Sequence, residues 1–370
     1  MKITNNKRKP IIIKVIILFT MIISLLQINT TSTRTFASGE VENTLGNLYI
    51  NEEGYKDKMD NIATPYLEKV LQKGYIKGEE DLDIYYEKYI VQSSKGSIVI
   101  SDGFSEYTGK YKELIYYFVQ KGYSVFILDH RGQGNSGSLG VKDGSQINVE
   151  DYNYYISDFK SFLDEIVLPD QVKNEKLFLF CHSMGGGIGA SFLEEYPEYF
   201  NAAILSAPML QINTGNYPSF VAKLIAKTMN LIGLGDNYVF GQGKYVENNN
   251  VEESCTSSEE RFSYSNNKLK TEDVYAQRGG ASFRWLAGGF NRTKMVISEE
   301  NAAKVKIPVL LFQAENDTYV EPEGQNEFQK NAQNCKLEVI KGAKHELYRE
   351  NDDILVDYLN KVFEFYENNL

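Results

Sequence analysis

The chain has 370 residues, a formal net charge of −11 at pH 7, and only three cysteines and three histidines. An acidic chain has no general attraction for nucleic acid or for anionic lipid headgroups. Three cysteines close no disulfide framework and show no metal-ligand spacing, so no metal and no cofactor is expected; 42% hydrophobic and 24% charged residues are those of an ordinary folded protein.

Lys2, Lys7, Arg8 and Lys9 precede an apolar run from Ile11 to Leu26, broken only by Lys14, and a polar stretch leads on to Thr35-Phe36-Ala37. This is the three-part layout of a secretory signal peptide. Its uninterrupted apolar part, Val15 to Leu26, is well short of the roughly 20 residues that span a bilayer. Residues 1–37 are therefore expected to be a cleaved signal peptide and the protein to be secreted or held at the cell surface; membrane anchoring by an uncleaved segment is the alternative. Cleavage removes six basic and no acidic residues, which takes the formal charge from −11 to −17. Residues 38–80 form an N-terminal extension with one expected helix, Tyr66 to Lys73.

From about residue 84 short apolar runs alternate with segments of helical period, the signature of a sheet with helices on its faces. The expected strands are Ile84 to Val91, Ser97 to Ser101, Ser124 to Asp129, Leu177 to His182, Ala202 to Leu205, Val309 to Gln313 and Lys336 to Ile340. The expected helices are Tyr111 to Gln120, Val149 to Val167, Gly186 to Glu195, Glu323 to Ala332 and Asp353 to Tyr366. After Ala207-Pro208 roughly 95 residues pass before Ile307-Pro308 introduces the next strand, far more than a usual connection. The chain thus reads as an α/β protein with a mostly parallel sheet: core residues 81–206, an inserted and mainly helical cap at 207–305, and the rest of the core at 306–370. Within the cap, Pro218 to Ile232 puts Phe220, Val221, Leu224, Ile225, Met229 and Ile232 at helical spacing, with Lys223 and Lys227 expected on the other face. That apolar face either packs on the cap itself or walls a substrate pocket. The polar stretch Glu247 to Glu260 reads as a mobile surface loop.

Residues 176–190 read KLFLFCHSMGGGIGA, an apolar strand followed by small residues and then a helix. Such a turn strains the serine and lifts its Oγ above the sheet, which makes Ser183 the candidate nucleophile. Gly185 satisfies the need for a small residue two positions on, and Cys181 replaces the usual glycine two positions before. Cys181 itself reads as a buried packing residue. Serine needs a base, and three histidines are available. His130 sits in Asp-His-Arg-Gly after a strand, and the side chain of His182 is expected to point the wrong way. His345, just after the last strand, remains. Asp317, in the loop after the strand Val309 to Gln313, is the candidate to orient it; Glu315 is the competitor. The order Ser183, Asp317, His345 is the one expected of a nucleophile-elbow fold. Oxyanion donors are expected in the backbone N–H groups of Met184 and Phe104. Gly132, Gly134 and Gly137 also match the string G-x-G-x-x-G, but a loop rather than a helix start follows, so a structural loop is expected.

With these residues placed, the chain resembles the bacterial lysophospholipase and monoacylglycerol lipase family of α/β-hydrolases. The matching pieces are Asp102-Gly-Phe-Ser-Glu-Tyr, Asp129-His-Arg-Gly-Gln-Gly-Asn-Ser-Gly137, Cys-His-Ser-Met-Gly-Gly186, Ser206-Ala-Pro-Met209, Gln313-Ala-Glu-Asn-Asp317 and Lys341-Gly-Ala-Lys-His-Glu346. Asp102 stands where many relatives carry histidine, and Cys181 where they carry Gly or Ala. The resemblance implies a single-chain acyl ester substrate, lysophospholipid or monoacylglycerol, sheltered by the cap, and transient contact of the cap with a membrane surface. Short-chain carboxylesterases and serine aminopeptidases share the fold; a peptidase would hold the free amine with acidic cap residues, for which Glu252, Glu253, Glu259 and Glu260 are candidates. The third reading is a non-catalytic, hydrolase-like surface protein.

Overall fold

The computed structural model describes residues 48–171 and 175–370. The segment 1–37 and the beginning of the 38–80 extension lie outside the described residues. Eight strands form one sheet: β1 (Leu71–Lys77), β2 (Asp83–Tyr89), β3 (Ser97–Ser101), β4 (Ser124–Leu128), β5 (Leu177–His182), β6 (Ala202–Ser206), β7 (Val309–Ala314) and β8 (Cys335–Ile340). Their spatial order is β1-β2-β4-β3-β5-β6-β7-β8. β1 pairs antiparallel with β2 and β2 antiparallel with β4, and all later neighbours are parallel.

Alternate residues of the buried strands feed two cores, because successive side chains leave a strand on opposite faces. Val99, Phe126, Leu128, Leu179, Leu205 and Leu311 pack on one side, where α2 (Asn153–Phe162) and α3 (Ser183–Glu195) lie. Ile98, Ile100, Val125, Phe178, Ile204 and Phe312 pack on the other, against α1 (Lys112–Gln120) and, at the C-terminus, α8 (Asp352–Glu367). Burial on both faces is why these strands read as unbroken apolar runs. α2 runs on through a wider π-type turn, Leu163–Val167.

Between β6 and β7 lie three longer helices, α4 (Ser219–Leu231), α5 (Glu259–Thr271) and α6 (Phe283–Val296); α7 (Pro322–Asn331) follows β7. Ser258 and Ser282 cap α5 and α6, each accepting from the N–H of the third residue on, Arg261 and Trp285, an arrangement that satisfies an otherwise orphaned donor.

Three expectations fail. The helix expected at Tyr66 to Lys73 ends at Glu68, and Leu71–Lys77 is instead the edge strand β1, paired in register from Leu71 opposite Tyr89 to Lys77 opposite Asp83. Local helical spacing lost to pairing with an available sheet edge; Lys73 and Lys77 are exposed there, charges that discourage further pairing. The stretch Glu247 to Glu260 is no free loop. Thr256 and Ser258 are buried, the Thr256 hydroxyl donates to the Arg349 carbonyl at 2.6 Å, and the Glu346 N–H donates to the Cys255 carbonyl at 2.8 Å. On α4, Ala222, Ile225, Ala226 and Met229 pack toward Phe283 and Phe290 of α6. Phe220, Leu224, Leu231 and Ile232 are exposed, sharing the solvent side with Lys223 and Lys227 instead of lying opposite them.

Candidate active site

β5 delivers the chain into α3 through Ser183, which adopts φ 51°, a left-handed conformation costly for any residue but glycine. Close packing enforces the turn: a Cβ on Gly185 would sit 2.2 Å from the Ser101 carbonyl oxygen and 2.4 Å from that of Asp102, and one on Gly186 would meet Pro208. Behind the turn, the Met209 N–H donates to the Ser183 carbonyl at 2.7 Å. Cys181 is fully buried, and its thiol is pushed well up by burial, the signature of an inert packing residue.

The Ser183 Oγ lies 2.8 Å from His345 Nε2, and His345 Nδ1 lies 2.7 Å from Asp317 Oδ2. The other carboxylate oxygen, Oδ1, accepts the N–H groups of Tyr319 at 2.8 Å and Val320 at 3.1 Å. Burial would raise the Asp317 carboxyl, but the hydrogen bond and charge of His345 outweigh it and hold it below the ordinary carboxylate range. An ionised carboxylate only accepts, which assigns the proton to Nδ1 and leaves Nε2 free to accept from Ser183. Tyr319 and His182 flank the His345 ring, at centroid distances of 5.1 and 4.8 Å.

The competitors stand elsewhere. Glu315 accepts the Gly342 N–H at 2.8 Å and so steadies the turn ahead of His345 without touching it. His130 is buried, with Nε2 2.8 Å from the Ser101 hydroxyl, and burial lowers its pKa to about 3. His182 places Nδ1 3.1 Å from the Ser206 carbonyl, and burial lowers its pKa to about 4.

Met184 occupies the first turn of α3, where backbone N–H groups have no intrahelical acceptor. Phe104 lies in a clamped loop: Gly103 N–H donates to Glu106 Oε2 at 2.7 Å, Ser105 N–H to Gln133 Oε1 at 2.7 Å, and Gln133 Nε2 to the Gly103 carbonyl at 3.0 Å. The N–H groups on either side of Phe104 are thus engaged. Glu106 and Gln133 went unread in the sequence, since only tertiary contact brings Gln133 to this loop.

The glycine-rich loop after β4 turns its carbonyls to a guanidinium. Arg278 donates to the carbonyls of Gly132 at 2.8 Å and Gly137 at 2.5 Å, and Gly132, Gly134 and Gly137 all have positive φ. A loop that presents carbonyls and is filled by arginine is no phosphate cradle.

A family profile described as "Serine aminopeptidase, S33" matches residues 92–352. The chain belongs to this family of α/β-hydrolases. Among its relatives, a probable lysophospholipase L2 of Haemophilus influenzae is 28% identical over 293 residues, 79% of this chain and 90% of that protein. A monoacylglycerol lipase of Mycolicibacterium smegmatis is 26% identical over 267 residues, 71% of this chain and 85% of the relative. The fold matches a crystallised soluble variant of monoglyceride lipase from Saccharomyces cerevisiae in complex with a substrate analog, with a TM-score of 0.66 at 20% identity over 81% of this chain and 96% of that one. The α/β-hydrolase fold expected from the sequence is that of its family, and with these relatives the chain is an enzyme of the class expected, a serine hydrolase acting on carboxylic esters.

Proposed function

We propose that this α/β-hydrolase cleaves the acyl ester of single-chain lipids, lysophospholipid or monoacylglycerol, through Ser183, His345 and Asp317. The observation that carries the reading is the continuous hydrogen-bonded line from Ser183 Oγ through His345 to Asp317, with distances of 2.8 and 2.7 Å, starting at a strained serine. Oγ attacks the acyl carbonyl while its proton passes to His345 Nε2, and Asp317 stabilises the imidazolium. The tetrahedral oxyanion is held by the N–H groups of Phe104 and Met184, worth roughly 3 kcal/mol each. Collapse releases the alcohol with the proton from His345. Water, deprotonated by the same nitrogen, then attacks the acyl-enzyme and frees the fatty acid. The lipid substrates named for the relatives support this substrate class. Fluorophosphonate labelling of wild type and Ser183→Ala tests the nucleophile: labelling lost in the variant is expected, and label retained elsewhere in the chain sinks the reading. A hydrolysis panel of lysophospholipids, monoacylglycerols and short p-nitrophenyl esters assigns the head group.

A serine aminopeptidase is the second reading. Besides the family's description, Glu252 and Glu253 line a pocket of about 340 Å³ together with His345, where a carboxylate could hold a free amine. Aminoacyl-naphthylamide turnover above that of lipid esters would favour it.

The exposed apolar side of α4, with Phe220, Leu224, Leu231 and Ile232, is in this proposal a transient contact with a lipid surface. At −17, the mature chain would make that contact through apolar burial, not headgroup charge. Co-sedimentation with neutral phosphatidylcholine vesicles, reduced in Phe220→Ser/Leu224→Ser, is expected; equal sedimentation of both proteins speaks against it. Export with cleavage after Ala37 completes the proposal, and N-terminal sequencing of the mature protein is expected to start at Ser38.

A further inference from the structure

The oxyanion-side loop and the loop that carries His345 are joined by one partly buried cation. Lys110 Nζ lies 2.7 Å from Glu106 Oε1 and 2.6 Å from Glu346 Oε1. Glu106 and Glu346 are almost completely buried. Glu106 accepts through Oε2 the Gly103 N–H at 2.7 Å and the Tyr111 hydroxyl, and through Oε1 the Tyr348 hydroxyl at 2.9 Å. Glu346 adjoins His345 in the chain; its Oε2 takes a charged hydrogen bond from Arg349, whose other nitrogen donates to the Arg261 carbonyl on α5 at 2.7 Å. A single cation is therefore two contacts and a peptide bond away from Phe104 on one side, and one contact and a peptide bond away from His345 on the other.

From this geometry we infer that Lys110, with Glu106 and Glu346, positions the two halves of the reaction centre, fixing where the Phe104 N–H and the His345 imidazole stand relative to Ser183. The inference rests on the reading of Ser183 as nucleophile. None of the three touches the reacting atoms, so they are positioning residues. Two carboxylates brought this close in a buried site cannot both stay ionised without a cation between them. Lys110 meets that need: burial alone would lower its pKa, but Glu106 and Glu346 overcome this and hold it above the ordinary lysine range. Burial would likewise raise both carboxyls, and Lys110 foremost keeps each below its usual range. Other titratable groups facing this cluster are Arg349, Cys255, Tyr111, Tyr348, Tyr319, Asp102 and His182.

Lys110→Met and the near-isosteric Glu346→Gln test it, with kcat and KM on a p-nitrophenyl ester and the rate of fluorophosphonate labelling at Ser183. A displacement of about 1 Å in a reacting group costs on the order of a hundredfold in rate, so kcat in Lys110→Met is expected to fall at least about tenfold with KM within about twofold of wild type. Labelling should slow in parallel. The deficit relative to wild type should shrink between about pH 8 and about pH 5.5, because one stranded carboxylate is then neutral. Glu346→Gln, which keeps its shape, should show a smaller kcat loss and remains informative if Lys110→Met does not fold. Wild-type kcat and labelling rate in both variants, or a loss confined to unfolding temperature and KM, overturns the inference alone. An unlabelled wild type overturns the nucleophile reading and this inference together.

Discussion

Gly189 passes so close to Cys181 that a Cβ built on it would lie 2.2 Å from the cysteine sulfur. In the second turn of α3, the helix thus leaves room for the thiol that occupies the place of the usual elbow glycine, so the departure at Cys181 is matched by a compensating absence at Gly189. Alanine in a helix interior usually gains roughly 0.5–1 kcal/mol over glycine, but here the methyl group overpacks a fully buried site. Gly189→Ala is expected to destabilise by about 1–3 kcal/mol in urea unfolding. The double variant Cys181→Ala/Gly189→Ala should recover most of it, and a Gly189→Ala protein as stable as wild type would show that the elbow yields freely.

Asp317 binds His345 with one oxygen and two backbone N–H groups with the other. In Asp317→Asn the amide can still fill the space, but an NH₂ turned toward Nδ1 favours the tautomer with the proton on Nε2, which cannot accept from Ser183. The expected kcat loss is on the order of 10³–10⁴ with little change in thermal stability. A loss below about tenfold would remove Asp317 from the proposed mechanism.

Arg278, from the interval between β6 and β7, serves the carbonyls of Gly132 and Gly137 at once. Truncation to Arg278→Ala strands the buried carbonyls of Gly132 and Gly134, each worth about 1–3 kcal/mol when left unpaired. Unfolding is expected to shift down by at least about 2 kcal/mol. Retained stability would mean that water replaces the guanidinium.

Burial holds His130 and His182 neutral by lowering them to about 3 and about 4, against about 6.5 in the unfolded chain. Both folded values lie below the unfolded one, so the unfolded chain binds more protons between them. The contribution to stability is complete above about pH 6.5 and is lost as the pH falls toward about 4, by up to about 1.4 kcal/mol per pH unit for each ring. Asp317, depressed in the fold, weakens stability in the same direction at still lower pH. As the pH falls from about 7 to about 4.5, the urea midpoint of wild type should therefore lose ground against that of His130→Asn, whose side chain does not charge. Equal slopes would mean that His130 titrates normally.

The buried strands could be read from the sequence because both faces of a parallel sheet are covered, and a strand such as Ser97–Ser101 or Leu177–His182 then has no polar alternation to confuse it. Ser183, Asp317 and His345 could be named for a related reason. Each sits just past a strand end, and strand ends are legible. β1 was not: its residues carry helical spacing, and they become a strand only because the free edge of β2 is there to pair with. The side of α4 that faces solvent was read wrongly, because apolar residues run around most of its girth and spacing alone does not say where its neighbour lies.

By itself, then, the sequence determined the α/β-hydrolase core, the strained serine and the order of the residues around it, because backbone sterics and strand burial are written locally. Only the tertiary structure decided that Asp317 and not Glu315 reaches His345, that residues 247–260 are anchored, and that Lys110 bridges Glu106 and Glu346 across an interval of 236 residues from lysine to glutamate. Those pairings depend on distances between segments remote in the chain, and no local propensity encodes them.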